Sequence, residues 1–338
     1  MNGRLEKVGH PKVNFGKTGV LIVNLGTPDS TKWLDIRRYL KEFLSDRRVI
    51  ETNPILWWFI LNLIILNLRP HKTAKAYKKI WMTATNESPL RYYTRSQTEK
   101  LCNKFGSTQN VIIDFAMRYG NPSIKSKLNL LKEQGCEKLI ILPLYPQYAA
   151  ATTATVCDEV YRCLMKMRWQ PSLQIIPHYE SEPLYIEALS NSIKAQLEKL
   201  SWKPDVILSS FHGIPKKYFD KGDPYQCYCH KTNRLLKEHF GNSIPIEISF
   251  QSRFGPAEWL QPYTDKTLEK LAQDGKKNIL MICPGFAADC VETLEEIEME
   301  GQATFKEHGG ENFSMVPCLN DSEDHINLLE YLIKKHIV

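Results

Sequence analysis

A chain of 338 residues, 43% of them hydrophobic, exceeds what one ordinary core serves and suits two α/β domains. The net charge of +6 comes without dense Lys/Arg runs interleaved with stacking aromatics, which excludes a nucleic-acid binder and favours anionic small molecules or an anionic membrane face as partners. Nine irregularly spaced cysteines exclude a disulfide framework and fit a reducing compartment.

The first seventeen residues have charge but no apolar h-region and no small-residue cleavage site, so a cytoplasmic protein is expected. An apolar strand follows, Val20 to Pro28 (VLIVNLGTP), ending in a Gly-x-Pro turn. Next comes Ile55 to Leu68, ILWWFILNLIILNL, shorter than the ~20 residues of a spanning helix and interrupted by Asn62 and Asn67. Arg69, His71, Lys72, Lys75, Lys78 and Lys79 follow it directly. That order suits a segment lying on an anionic membrane face or lining an apolar pocket, and competes with a buried core helix. Amphipathic stretches, among them Ser96 to Lys104 and Tyr185 to Leu200, alternate with short apolar runs, the pattern of parallel strands covered on both faces.

The chain repeats itself. VLIVNLGTP has a counterpart in Val206 to Pro215 (VILSSFHGIP), DFAMRYG (Asp114 to Gly120) in SFQSRFG (Ser249 to Gly255), and KLIILPLYP (Lys138 to Pro146) in NILMICPGF (Asn278 to Phe286), all in the same order. Two Rossmann-like, doubly wound halves with parallel sheets are therefore expected over 1–175 and 176–310, facing an interdomain cleft at their strand ends. A closing segment, 311–338, holds a helix at Asp321 to Lys335. Neither G-x-G-x-x-G nor G-x-x-x-x-G-K-[ST] is present, so no nucleotide is expected. Cys227-Tyr-Cys229-His230 lacks the spacing and the second ligand pair of a structural metal site.

Chemistry is concentrated in the second half. His212 stands at a strand end in SFHGIP, and the matching position in the first half is Gly26. Cys283 to Glu300 reads as a strand feeding an acidic helix, on which Glu292, Glu296 and Glu300 recur at i, i+4 and i+8 with Asp289 one turn earlier. Like charges so spaced destabilise a helix, so the stripe is either a solvated face or a file that passes cations or protons. An imidazole facing Glu292 suits a first-row divalent ion, and the same pair can take up protons.

NLGTP, FLSDRRVI, LYPQYA, SFHGIP followed by GDPY, QSRFGPAEWLQP and FAADCVETLEEIE together resemble the ferrochelatases, over nearly the whole chain from about Gly19 to Gly310. The resemblance implies a lyase inserting Fe²⁺ into protoporphyrin IX with release of two protons. It implies His212 and Glu292 as catalytic and metal-site residues, with Asp289, Glu296 and Glu300 as the relay. Leu25, Tyr145, Trp259 and Phe286 match ring-lining positions, Arg118 and Tyr119 the inner edge, and Arg69 and Ser88 the propionate contacts. Residues 55–68 match the family's lip, with peripheral membrane contact. Fe²⁺ is then a substrate and haem the product, and no tightly bound cofactor is expected. Position 150 is alanine where cluster-bearing members have a ligand, so no 2Fe–2S cluster is expected. Cys290 stands where animal members have histidine, and Ala84-Thr85-Asn86-Glu87 replaces a glycine-rich turn. Leu25, where the coproporphyrin III branch has tyrosine, favours protoporphyrin. Competing readings are a coproporphyrin III ferrochelatase, a sirohydrochlorin chelatase, which should lack an apolar lip, and a porphyrin carrier, which needs no acidic file.

Overall fold

Four consecutive branched or aliphatic residues, Val20 to Val23, favour extended backbone and are fully buried, and they form the middle of strand β1 (Lys17–Thr27). The computed structural model describes residues 14–106, 110–241 and 243–337, and most of the stretch read for a targeting signal lies outside them. β1 pairs in parallel with β2 (Val111–Gly120) and β3 (Cys136–Pro143), and β3 with β4 (Ser172–Ile175), giving the order β2-β1-β3-β4. The second sheet repeats this plan in β5 (Val206–His212), β6 (Ile246–Gln251), β7 (Asn278–Ile282) and β8 (Asn312–Met315), with the order β6-β5-β7-β8. The repeat read from the sequence is thus a repeat of topology, and helices flank both sheets.

The chain divides into two compact units. The first takes the described residues up to Leu144, Ala150–Pro177 and those from Ile326 on, and the second takes Tyr145–Ala149 and His178–His325. The predicted amphipathic stretches form helices Pro89–Phe105 and Pro183–Leu197, and the closing helix spans Glu323–Ile337.

Strand register corrects two of the sequence pairings. Gly26 has φ +116°, and a Cβ there would lie 1.8 Å from the carbonyl oxygen of Tyr119 on β2. A Cβ on Gly213 would lie 2.9 Å from the carbonyl oxygen of Gln251, so the two glycines are equivalent points of backbone contact. Ile22 pairs with Leu142 and Ser209 with Ile282, which makes Leu25, not Gly26, the counterpart of His212. The same register sets Gln251 where the first sheet has Arg118. β2 continues through Arg118-Tyr119-Gly120, whereas β6 stops at Gln251, because Ser252 turns into left-handed backbone at φ +66°. The two Arg-aromatic-Gly motifs therefore share a sequence but not a position.

The apolar segment is not a core helix. Helical backbone runs without a break from Pro54 to Ile80, capped by Asn53, whose side chain accepts from the Ile55 and Leu56 amides. Asn62 and Asn67 do not interrupt it, since their amides donate back to the carbonyls of Trp58 and Leu63 at 2.8 and 2.9 Å. Leu61 and Leu66 point inward, each contributing about 1.5–3 kcal/mol of burial. Ile55, Leu56, Trp58, Phe59, Leu63, Ile64 and Leu68 stay exposed. Among the described residues no helix is long and apolar enough to cross a membrane. Residues Ile60–Ile65 widen into a π-helical turn, as do Glu292–Gly301. Both stretches singled out by composition thus adopt this uncommon geometry.

Candidate active site

Each sheet reverses its winding between its two middle strands, the point outside whose carboxyl ends ligands bind in doubly wound folds. In the second unit those strands are β5, which ends at His212, and β7, which leads through Cys283–Cys290 into the π-helix that opens with Glu292. The helix is held on the sheet by Ile297, and by Phe305 in the following turn, packed in one core with Ile279 and Met281.

His212 is half-buried, and its Nδ1 lies 2.6 Å from the Gly213 carbonyl oxygen. A carbonyl can only accept, so Nδ1 carries a proton, which leaves Nε2 as the ring nitrogen that can meet a proton or a metal. The Phe286 ring lies 6.5 Å from the imidazole, tilted by 51°. Trp259 is fixed by its indole N–H donating to the Phe254 carbonyl at 2.9 Å. Tyr145 is buried.

Sequence reasoning missed Gln251 and Ser252, which tie His212 to the acidic helix. Gln251 pairs with His212 across the strands, accepts from Ser210 Oγ at 2.7 Å, and donates from Nε2 to the Glu292 carbonyl at 2.8 Å and Glu296 Oε2 at 3.4 Å. Ser252 donates its N–H to Glu296 Oε1 at 2.7 Å and its hydroxyl to Oε2 at 2.5 Å. The signal was present in QSRFG, but the arginine drew attention that belongs to its neighbours. Arg253 instead pairs with Asp265 at 2.5 Å.

The Glu296 carboxyl is pushed above its ordinary 4.5, chiefly by burial and also by the like charge of Glu292, against the lowering pull of Ser252 and His212. Three members of the predicted site, His212, Glu292 and Glu296, are therefore in electrostatic contact. In the wider i→i+5 turn, residues four apart lie nearly in line, so Glu292 and Glu296, both half-buried, lead to exposed Glu300. Glu296 and Glu300 line a cavity of about 260 Å³ with Ser252, Arg253, Asp265 and Thr304.

Asp289 faces elsewhere. It is buried and accepts from Asn320 Nδ2 at 2.6 Å, the Cys318 amide at 3.2 Å and Thr293 Oγ1 at 3.2 Å, so it clamps the loop before the helix. Burial holds the Cys290 thiol well above its usual range, hence neutral and a poor metal ligand. Among the described residues no three His, Cys, Asp or Glu side chains converge as a preformed metal cage, the Cys227-x-Cys229-His230 run included.

Next to the Asp289 clamp, His325 is buried with Nδ1 2.6 Å from the Asn320 carbonyl oxygen, and desolvation pushes its pKa down to about 4 from 6.5. Below pH 6.5 the unfolded chain takes up a proton that the folded chain refuses, so stability is expected to fall by about 3 kcal/mol as pH drops from about 6.5 toward 4. Urea unfolding at pH 7 and pH 5 checks this. His325→Asn, which keeps a donor toward Asn320, should lose most of the difference.

In the first unit, Leu25 is half-buried at the end of β1's apolar run. Arg118 and Tyr119 are buried around Asp46 of the FLSDRR motif. Arg118 pairs with Asp46 and donates to the Thr155 carbonyl at 2.8 Å, and the Tyr119 hydroxyl lies 3.0 Å from Asp46. Asp46 is thus a hub that the sequence reading named only as part of a motif. Ser88 is buried as the N-cap of Pro89–Phe105, accepting from the Arg91 amide at 3.3 Å. Arg69 is half-buried in the long helical run.

Two parallel, doubly wound units define an α/β protein with the chelatase fold. A structure of SirB from Bacillus subtilis with Fe³⁺ aligns at a TM-score of 0.57 over 95% of each chain, at 13% identity. The family model for ferrochelatase matches residues 17–337. A ferrochelatase of Allorhizobium ampelinum is 58% identical over 97% of this chain and 96% of its own, and one of Rhizobium johnstonii 54% identical over 98% and 97%. The chain belongs to the ferrochelatase family, lyases that insert iron into a porphyrin and yield haem.

Proposed function

We propose that this chain inserts Fe²⁺ into protoporphyrin IX, with His212 and Glu292 as the groups that meet iron and the pyrrole protons. The observation that carries this reading is the linkage of His212, Gln251, Glu292 and Glu296 at one switch point. Two N–H protons must leave as one dication enters. His212 Nε2 takes one proton and the Glu292 carboxylate the other, and half-buried Glu292 and Glu296 with exposed Glu300 form a file that returns them to solvent. Asp289 serves the same file by fixing the start of its helix. The metal is a substrate, the ring supplies its remaining donors, and neither an iron–sulfur cluster nor a nucleotide takes part.

On the second unit Tyr145, Trp259 and Phe286 are the aromatic contacts of the ring. On the first, Leu25 and Arg69 touch porphyrin directly, while Arg118, Tyr119 and Ser88 support those contacts from their buried positions. The exposed apolar side of Pro54–Leu68 meets a bilayer surface peripherally, on the cytoplasmic side. That lip argues against an eight-carboxylate sirohydrochlorin substrate.

Anaerobic assays with Fe²⁺ and either protoporphyrin IX or coproporphyrin III, followed by the porphyrin absorption bands, test the substrate. Turnover of protoporphyrin in preference is expected. Preference for coproporphyrin would show that Leu25 does not report the substrate, and binding without turnover of either would leave a carrier.

A further inference from the structure

The face of the long helical run beyond the lip carries a pocket that iron insertion does not use. His71, Ala74, Lys75 and Lys78, at three- and four-residue spacing, line one wall, and Thr31, Lys32 and Trp33 the other, around about 460 Å³. The Trp33 and His71 rings lie 6.0 Å apart. Lys32, Lys75 and Lys78 are exposed and have no carboxylate partner among the described residues. The lining contains no acid. Helix Trp33–Leu44 opens beside it without a side-chain cap, and the acid of its first turn, Asp35, is already taken by Ser30 at 2.5 Å and Arg38 at 3.1 Å. The Trp33 indole N–H, buried, finds no acceptor among the described residues.

Three ammonium groups and a histidine around one cavity without an acid favour an anion there. Its place on the molecule selects the anion. Leu68, 70% exposed, sits three residues before His71 on the same helical face, so the apolar stripe of Ile64 and Leu68 runs directly into the cationic one. A free anion has no use for that stripe, whereas an anionic phospholipid presents a phosphate beside acyl chains. The geometry points to Lys32, His71, Lys75 and Lys78 as a headgroup site for an anionic phospholipid, which sets how the lip rests on a membrane. This rests on the reading that the apolar face meets a bilayer.

Sedimentation of the full chain with phosphatidylcholine vesicles, and with the same vesicles containing phosphatidylglycerol, tests it. Phosphatidylglycerol should tighten binding, high salt should remove the gain, and Lys75→Gln with Lys78→Gln should weaken binding to the anionic vesicles about 30-fold. The variant should match the parent on neutral vesicles and in iron insertion with detergent-dispersed porphyrin. Equal binding of parent and variant to anionic vesicles overturns the headgroup site but leaves the lip. Binding to neither vesicle overturns both. Displacement from anionic vesicles by millimolar inorganic phosphate, beyond what chloride of equal ionic strength achieves, would make the site one for free phosphate and overturn the lipid assignment.

Discussion

His212→Ala is expected to lower iron insertion by about 10²–10⁴-fold while porphyrin binding stays close to that of the parent. The imidazole is delivered by the last residue of a buried central strand, and its tautomer is set by the Gly213 carbonyl at 2.6 Å, so Nε2 is held as a proton acceptor without reorganisation. Removing it leaves Glu292, at the opening of the acidic helix, to meet both pyrrole protons alone. The fold should tolerate the change, because the ring is half-buried and gives up one hydrogen bond, worth about 0.5–1.5 kcal/mol. Porphyrin fluorescence quenching and anaerobic turnover, measured on one preparation, separate the two effects. Partial rescue of the rate by added imidazole would tie the loss to the missing base. Lost binding with retained turnover would contradict the role, and a rate within a few-fold of the parent would make Glu292 the working base.

Much of the fold was legible because buried parallel strands leave an unmistakable trace. The apolar runs at Val20, Lys138, Val206 and Asn278 could be paired by order alone, and the two sheets reproduce that order. Register was not legible. Gly26 seemed to match His212 because the two strands were aligned at their starts, but close approach of the neighbouring backbone at Gly26 and Gly213 sets the equivalence, and a glycine's neighbour cannot be read from its own sequence. The site was half legible. Histidine and glutamate at strand ends advertise chemistry by residue type, whereas Gln251 and Ser252 act through where their amide and hydroxyl point. Asp289 shows the reverse failure. Sequence spacing assigned it to the acidic stripe, yet it lies before the helix begins, and its oxygens are used by Asn320 and Cys318. The lip was legible as apolar, and its order with the basic run left a membrane face, a pocket wall and a core helix as readings, since composition reports what a segment contains and only tertiary packing decides which side is covered.

Glu296→Gln should slow turnover by about tenfold or more and at the same time make the protein harder to unfold at neutral pH. Both effects come from the raised pKa. Burial disfavours the carboxylate, and Glu292 adds repulsion, while Ser252 and His212 offset only part of this. A carboxyl whose folded pKa lies above 4.5 contributes stability that is fully present below pH 4.5 and is lost as pH rises through the folded value. Glutamine has the same shape, can still accept from the Ser252 amide, and carries no charge. The variant should therefore unfold at higher urea concentration than the parent at pH 7 to 8, and the two curves should converge toward pH 4.5. The proton that Glu296 accepts so readily is the one it passes toward Glu300, so the substitution interrupts the relay and removes its strain together. Ser252→Ala should act in the opposite sense on the same group: losing a donor to the carboxylate raises its pKa further and moves the acidic limb of the rate profile to higher pH. An unchanged rate in Glu296→Gln, with unfolding that no longer differs from the parent at any pH, would reduce the file to a solvated helix face and leave His212 and Glu292 to release protons by another route.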